Sequence, residues 1–341
     1  MGTLDAAVQH PDVAARFESP ASIGTILRLL RLVPDNTSYP FMRWRRIFFP
    51  VSALLSLVSI AAFIFIGLNL GIDFRGGTLV EVQSRGASAD LPALRTTLGG
   101  LNLGDVQLQE FGSSRDVLIR FEQQPGGDAA QLAVVEKVRQ VLGDAYEFRR
   151  VEIVGPTVSG ELLRAGIVGV ALSLLCIWLY LWFRFEWQFA IGAMIATLHD
   201  LTLIIGFYAV SQVDFDLSAV AVVLTIAGYS LNDTVVVFDR IRELLRRYKK
   251  MPLNDLLDLA INTTLPRTVI TGATTFLALL GLTFFGGEVL RAFTQAMLVG
   301  VVVGIYSTTF IASPILIYLG VRTQTVGQAA APREKVEAGT T

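Results

Sequence analysis

The sequence predicts a polytopic α-helical membrane protein, with six transmembrane helices and one small α+β domain between the first and the second. Three observations lead there. The 341 residues are 52% hydrophobic and only 17% charged, whereas a soluble domain carries about 25% charged residues. Six apolar runs reach or approach the roughly 20 residues that a helix needs to cross a bilayer core, and none alternates as a barrel strand would. The runs are unevenly spaced, with a long mixed segment after the first and mostly short links afterwards. The same composition excludes a disordered or collagen-like chain, and the single cysteine, Cys176, excludes a disulfide scaffold. A net charge of −1 leaves no electrostatic footprint for nucleic acid.

Residues 1–46 read as a tail. Within it, residues 23–33 suit a short amphipathic helix ended by Pro34, with Arg28 and Arg31 opposite the leucine surface. Such a helix lies in the headgroup plane, or docks on a partner. The first span, 47–70, is too long and too far along the chain for a cleaved signal, so it reads as an anchor. Residues 71–164 hold their own pattern. After the Gly76-Gly77 turn, residues 78–82 alternate like a strand, and residues 91–98 form a helix opened by Asp90 with Pro92 in its first turn. Residues 106–111 and 117–121 read as strands, 131–142 as a helix ended by Gly143, and 148–154 as a last strand. The order βαββαβ is that of a ferredoxin-like unit. Spans two to six, at 165–183, 189–210, 217–238, 269–285 and 292–319, make a five-helix bundle over 165–319, broken by a loop at about 239–268. Residues 320–341 are a second tail. Cys176, inside span two, reads as a small packing residue.

Lysine and arginine near the span ends set the orientation. Arg43, Arg45 and Arg46 precede span one, and Arg184 lies between spans two and three. Between spans four and five come Arg240, Arg242, Arg246, Arg247, Lys249, Lys250 and Arg267, whereas residues 211–216 hold none and 286–291 only Arg291. Both termini are therefore expected in the cytoplasm, with 71–164 on the far (periplasmic) side.

Ionisable residues inside apolar runs are costly unless they face the bundle interior, so they mark candidate sites. His199 and Asp200 fall in the middle of span three, and Asp233 in span four. Arg267 opens span five, with Thr271, Thr274 and Thr275 following on one face, while Tyr229 and Thr225 extend the face of Asp233. Span four runs inward and span five back outward, which puts Asp233 and Arg267 at similar depth. A carboxylate that exchanges an arginine for a proton is the minimal part of a proton relay. The plain alternative has Arg267 reaching the interface and Asp233 bonding near a helix end. His199, Asp200, Tyr229, Asn232 and Thr271 are secondary relay candidates, with a structural bond between helices as the alternative for His199-Asp200. Gly300 and Gly304 read as helix packing. No P-loop lysine follows the glycines at Gly76, so any work done here needs an energy source other than ATP.

These residues also carry a resemblance. Gly71-Ile72-Asp73-Phe74-Arg75-Gly76-Gly77-Thr78 resembles the Asp-Phe-x-Gly-Gly signature of the SecD/SecF family. Val154-Gly155-Pro156-Thr157-Val158, the Gly-Tyr-Ser-Leu-Asn-Asp-Thr run ending at Asp233-Thr234, Phe238-Asp239-Arg240-Ile241-Arg242-Glu243 and Thr263-Thr264-Leu265-Pro266-Arg267-Thr268 are similar to its SecF branch. The likeness runs from about 43 to 319. The family often has histidine where this chain has Pro266. The resemblance implies the resistance-nodulation-division superfamily, a bacterial plasma (inner) membrane location and a complex with SecD and the SecYEG channel, with YajC and YidC as further neighbours. It implies no hydrolytic site, no cofactor or metal, and export of unfolded polypeptides driven by the proton motive force, with sodium as the alternative coupling ion. Asp73, Gly76, Gly77, Gly155 and Pro156 would be the hinge into and out of the small domain. A small-molecule or lipid exporter of the same superfamily is the competing reading, and a passive scaffold the third. The exporter reading expects a large outer domain or a duplicated chain.

Overall fold

The computed structural model describes Pro34 and residues 37–101, 103–104 and 106–321. The expected amphipathic helix at 23–33 lies outside these described residues. Six helical segments are long and apolar enough to cross a membrane. They are α1 (Phe41–Phe65), α5 (Pro156–Arg184), α6 (Trp187–Ser211), α7 (Leu217–Arg247), α8 (Leu253–Phe285) and a composite sixth. The sixth joins α9 (Glu288–Ser307), a π turn (Thr308–Ala312) and α10 (Ser313–Tyr318).

Between α1 and α5 lie a one-turn helix α2 (Ile72–Arg75), β1 (Gly77–Ser84), α3 (Leu91–Gly99), β2 (Val106–Phe111), β3 (Ser113–Phe121), α4 (Gly127–Leu142) and β4 (Tyr146–Val154). The strands form one antiparallel sheet in the order β2-β3-β1-β4. This is the expected ferredoxin-like arrangement. Strand alternation sorts the two faces. Val80 and Val82 on β1 lie opposite Ile119 and Val117 on β3, and turn with Phe121 toward Leu94 and Leu98 of α3 and Val134 and Val138 of α4. Leu79 and Leu118 face the other way and pack with Ile72 of α2. Asp90 caps α3 by accepting from the Ala93 amide at 3.0 Å.

In the bundle, α6, α7 and the sixth span are the packed centre, while α1 and α5 lie outside them. Gly300 and Gly304 do pack helices: a Cβ at Gly304 would stand 3.2 Å from that of Ser230, so α9 lies hard against α7. Cys176 is exposed on the outer face of α5 rather than packed.

Two stretches differ from the sequence reading. Residues 239–268, expected as a loop, are helical except for 248–252. The reason is amphipathic continuity: Ile241 and Leu244 of α7 and Leu256, Leu257, Ala260 and Ile261 of α8 are buried in one core. The first helix, moreover, starts at Phe41, before the apolar run, and ends at Phe65. Its start is held by α8. The Asp258 carboxylate accepts from the Met42 amide at 2.8 Å, and the Asn262 amide pairs with both backbone groups of Tyr39 at 2.9 Å. Pro266 lacks an N–H, which leaves the Asn262 carbonyl without its helical donor; Thr37 Oγ1 lies 3.4 Å from it. After α1, Gly67 adopts φ +79° and residues 69–71 run beside the α6–α7 loop, with Phe215 N–Asn69 O and Gly71 N–Phe215 O bonds of 2.8 and 2.9 Å.

Candidate functional site

Helix α7 organises the polar interior. Its first turn is capped by two carboxylates. Asp216 accepts from the Ala219 amide at 3.1 Å, and Asp73, from α2, accepts from the Leu217 amide at 3.0 Å. Both anions oppose the positive end of the helix dipole. Asp73 therefore joins the approach to the sheet domain directly to α7. Gly76 and Gly77 follow with φ of +74° and +116°. A Cβ at Gly77 would collide with the Phe121 carbonyl, and one at Gly76 would lie 3.2 Å from Ser159 Oγ, one turn into α5. Gly155 precedes α5 in an extended conformation and Pro156 opens it, where a missing N–H costs no helical bond. The five residues expected at the hinge thus fall in two strands of chain that meet at one end of the bundle.

That junction has a further tie. Arg120 of β3 forms an ion pair with Asp214 in the α6–α7 loop, and their side chains are 12% and 27% exposed. Burial and the neighbouring Arg75 lower the Arg120 pKa, with Asp216 opposing them. A cavity of about 370 Å³ lies beside it, lined by Leu70, Arg75, Gln107 and Arg120 among others.

Further along α7, Asp233 is partly buried. Its Oδ1 accepts from Thr268 Oγ1 of α8 at 2.6 Å, and its Oδ2 is buried without a hydrogen-bond partner. The expected Asp233–Arg267 contact is not formed. Adjacent helical residues point about 100° apart, so with Thr268 turned onto α7, Arg267 projects from the exposed face of α8. Asn232 and Thr271 are exposed, and Thr271 Oγ1 donates to the Arg267 carbonyl at 3.0 Å. Tyr229 is half-buried against the second apolar core. None of these three is hydrogen-bonded to Asp233 in the described contacts.

A second polar group forms where α6, α7 and α9 meet. Asp200 is 0% exposed. Its Oδ1 lies 2.9 Å from His199 Nδ1, and its Oδ2 accepts from Ser230 Oγ at 2.5 Å and Ser307 Oγ at 2.7 Å. His199 Nε2 is buried with no partner. One turn beyond Ser230, Thr234 Oγ1 and Thr308 Oγ1 are 2.9 Å apart. The sequence reading found the carboxylates but not the hydroxyls that meet them. Ser230 and Thr268 were open to it, since Ser230 lies one turn before Asp233 and Thr268 beside Arg267; Thr234, Ser307 and Thr308 meet their partners across helices, which spacing within one helix does not give.

Sheet, junction and polar interior together define a multi-pass membrane protein with one small domain joined to the start of a carboxylate-bearing helix. Residues 134–322 match the family described as protein export membrane protein SecD/SecF, C-terminal, and residues 61–87 match the SecD/SecF GG motif. The chain belongs to the SecD/SecF family. It is 43% identical over 297 residues to the protein translocase subunit SecF of Rickettsia rickettsii, covering 84% of this chain and 94% of that one. The SecF of Cereibacter sphaeroides is 42% identical over 320 residues, covering 91% and 97%. The SecDF of Brucella abortus is 46% identical over 295 residues, covering 86% of this chain but 39% of that longer protein. The crystal structure of SecDF from Thermus thermophilus, titled a translocon-associated membrane protein, superposes with a TM-score of 0.77 at 31% identity, over 85% of this chain and 40% of that one.

Proposed function

We propose that this chain is a SecF-type accessory subunit of the Sec protein translocase, working with SecD beside the SecYEG channel, with YajC and YidC as neighbours. It sits in the bacterial inner membrane with both termini in the cytoplasm and the sheet domain outside, and assists late steps in the export of unfolded polypeptides. Energy comes from the proton motive force: moving one charge across 100 mV releases about 2.3 kcal/mol, so a few protons suffice to tilt a domain without ATP. Asp233 is the proton-carrying group and Arg267 acts on it through its field. The observation that carries this reading is the Asp233 carboxylate, with one oxygen on Thr268 and the other unpaired in the bundle. Motion would pass along α7 to Asp73 and the hinge, because that helix joins the two ends.

Export into inverted membrane vesicles, with and without an imposed proton gradient, tests it. Asp233→Asn is nearly isosteric and is expected to accumulate, to bind SecD and to lose gradient-stimulated export. Arg267→Lys should keep part of the function, and Arg267→Met should resemble Asp233→Asn. Normal gradient coupling in Asp233→Asn would place the proton path elsewhere. Failure to accumulate would make the residue structural. Replacing the proton gradient by a sodium gradient separates the two coupling ions.

A further inference from the structure

We propose that Asp200 is a second protonation site, coupled to Asp233 through the π turn of the sixth span. This rests on the proton-carrying role of Asp233 but concerns different residues and a different observable.

The coordination of Asp200 is the first ground. The groups hydrogen-bonded to it are His199, Ser230 and Ser307, and no arginine or lysine is among them. His199 is the ionisable group bonded to it. Tyr306 from α9 is the next titratable neighbour, its ring 6.2 Å from the imidazole and its hydroxyl engaged by Ser52 Oγ at 2.5 Å and the Phe48 carbonyl at 3.2 Å, both of α1. An ionised Asp200 beside a neutral histidine is therefore an uncompensated buried charge, a costly state. One added proton, on either the imidazole or the carboxyl, makes the pair neutral overall. The unpartnered Nε2 is the vacant atom of that pair.

The second ground is what the hydroxyls do. Asp200 Oδ2 accepts two hydroxyl protons at once, from α7 and from α9. A proton placed on Oδ2 reverses one of these bonds: the new O–H donates to one serine hydroxyl, whose own proton must then turn to another acceptor. Ser307 has such an acceptor within its own helix, the Gly304 carbonyl at 3.2 Å, so it is the one that turns. Ser307 immediately precedes the π turn. Within that turn the Thr308 carbonyl accepts both the Ser313 amide, five residues on, and the Ser313 hydroxyl at 2.9 Å, and Pro314, next along, has no N–H to give the Phe310 carbonyl. Thr308 in turn touches Thr234, the residue after Asp233. Ser230 and Thr234 are four apart and share a face of α7. Occupancy of Asp200 is thereby felt at the backbone next to Asp233, and the reverse, since such coupling is reciprocal.

Infrared titration of the full chain in lipid nanodiscs, following the carbonyl bands of protonated carboxylic acids, tests this. The wild type should show two buried acids, one band lost in Asp200→Asn and the other in Asp233→Asn. In Asp200→Asn, the proton affinity of the remaining acid should change by roughly fivefold or more, with the complementary change in Asp233→Asn. Ser307→Ala keeps both acids but should cut the dependence of one on the other; it also serves if Asp200→Asn does not fold. No titrating band assignable to Asp200 would overturn the second site. Two bands that titrate independently in every variant would overturn the coupling. Neither outcome touches the export result for Asp233→Asn, so the two proposals fail separately.

Discussion

Thr268 supplies the hydrogen bond that Asp233 accepts, and the arginine expected in that place turns outward. Hydrogen bonds to charged groups are worth about 1.5–3 kcal/mol, so Thr268→Val should lower the thermal stability of the purified chain by about that amount. Thr268→Ser, which keeps the hydroxyl, should recover most of it. Differential scanning fluorimetry of the three proteins in one detergent decides; equal stability of Val and Thr variants would remove Thr268 as the partner. The carboxylates were legible from sequence because charge is rare in apolar runs. Their partners were not, since threonine and serine are common in membrane helices and mostly return their hydroxyls to their own backbone, as Thr271, Thr274 and Thr275 do here. Which hydroxyl turns to a carboxylate depends on helix rotation, and spacing alone gives neighbours within one helix only.

Among the elements, α8 carries an unexpected load. Its first four turns sit in the stretch read as a loop, yet they hold the start of α1 through Asp258 and Asn262. Asn262 is 4% exposed and uses both amide atoms on Tyr39. Asn262→Ala removes both hydrogen bonds to the part-buried Tyr39 backbone, worth about 0.5–1.5 kcal/mol each. It should speed amide hydrogen exchange across 37–45 by an order of magnitude or more, while exchange in the sheet domain stays unchanged. The strands and helices of that domain were readable because alternation and capping are local: Asp90, Pro92 and Gly143 mark boundaries by their own chemistry. The helical extension of α7 was hidden by Arg240, Arg242, Arg246 and Arg247, and that of α8 by Asn254, Asp255, Asp258 and Asn262, although Ile241, Leu244, Leu256 and Leu257 already keep a helical period.

Across the whole molecule, the sheet domain is fixed to the bundle by Arg120–Asp214, by Asp73 at the start of α7 and by the pairing of residues 69–71 with the α6–α7 loop. The sequence gives no means to pair Arg120 with Asp214, which are far apart in the chain and meet only once sheet and bundle dock. Charge reversal at one member should loosen the domain, and the double exchange Arg120→Asp with Asp214→Arg should restore it. Cysteines placed at Gln109 and Gln295, which line one groove between domain and bundle, provide the readout. Crosslinking should fall in either single variant and return in the double.

The uneven packing of the spans has a consequence for biogenesis. The most apolar 18-residue stretch of α5 is 0% buried within the protein, and that of α1 11%, whereas those of α6 and the sixth span are each 61% buried. A helix that gains little from neighbours must be held in lipid by its own side chains, while one with a buried aspartate such as Asp200 relies on companions already in place. Partitioning during synthesis should therefore divide in two. Placed singly in a reporter protein and challenged with a glycosylation-mapping assay, α1 and α5 should insert unaided, and α7, with Asp233 and its hydroxyls, should insert efficiently only when α6 precedes it. The order in which this chain leaves the ribosome puts α1 and α5, the two least buried spans, ahead of α6 and α7.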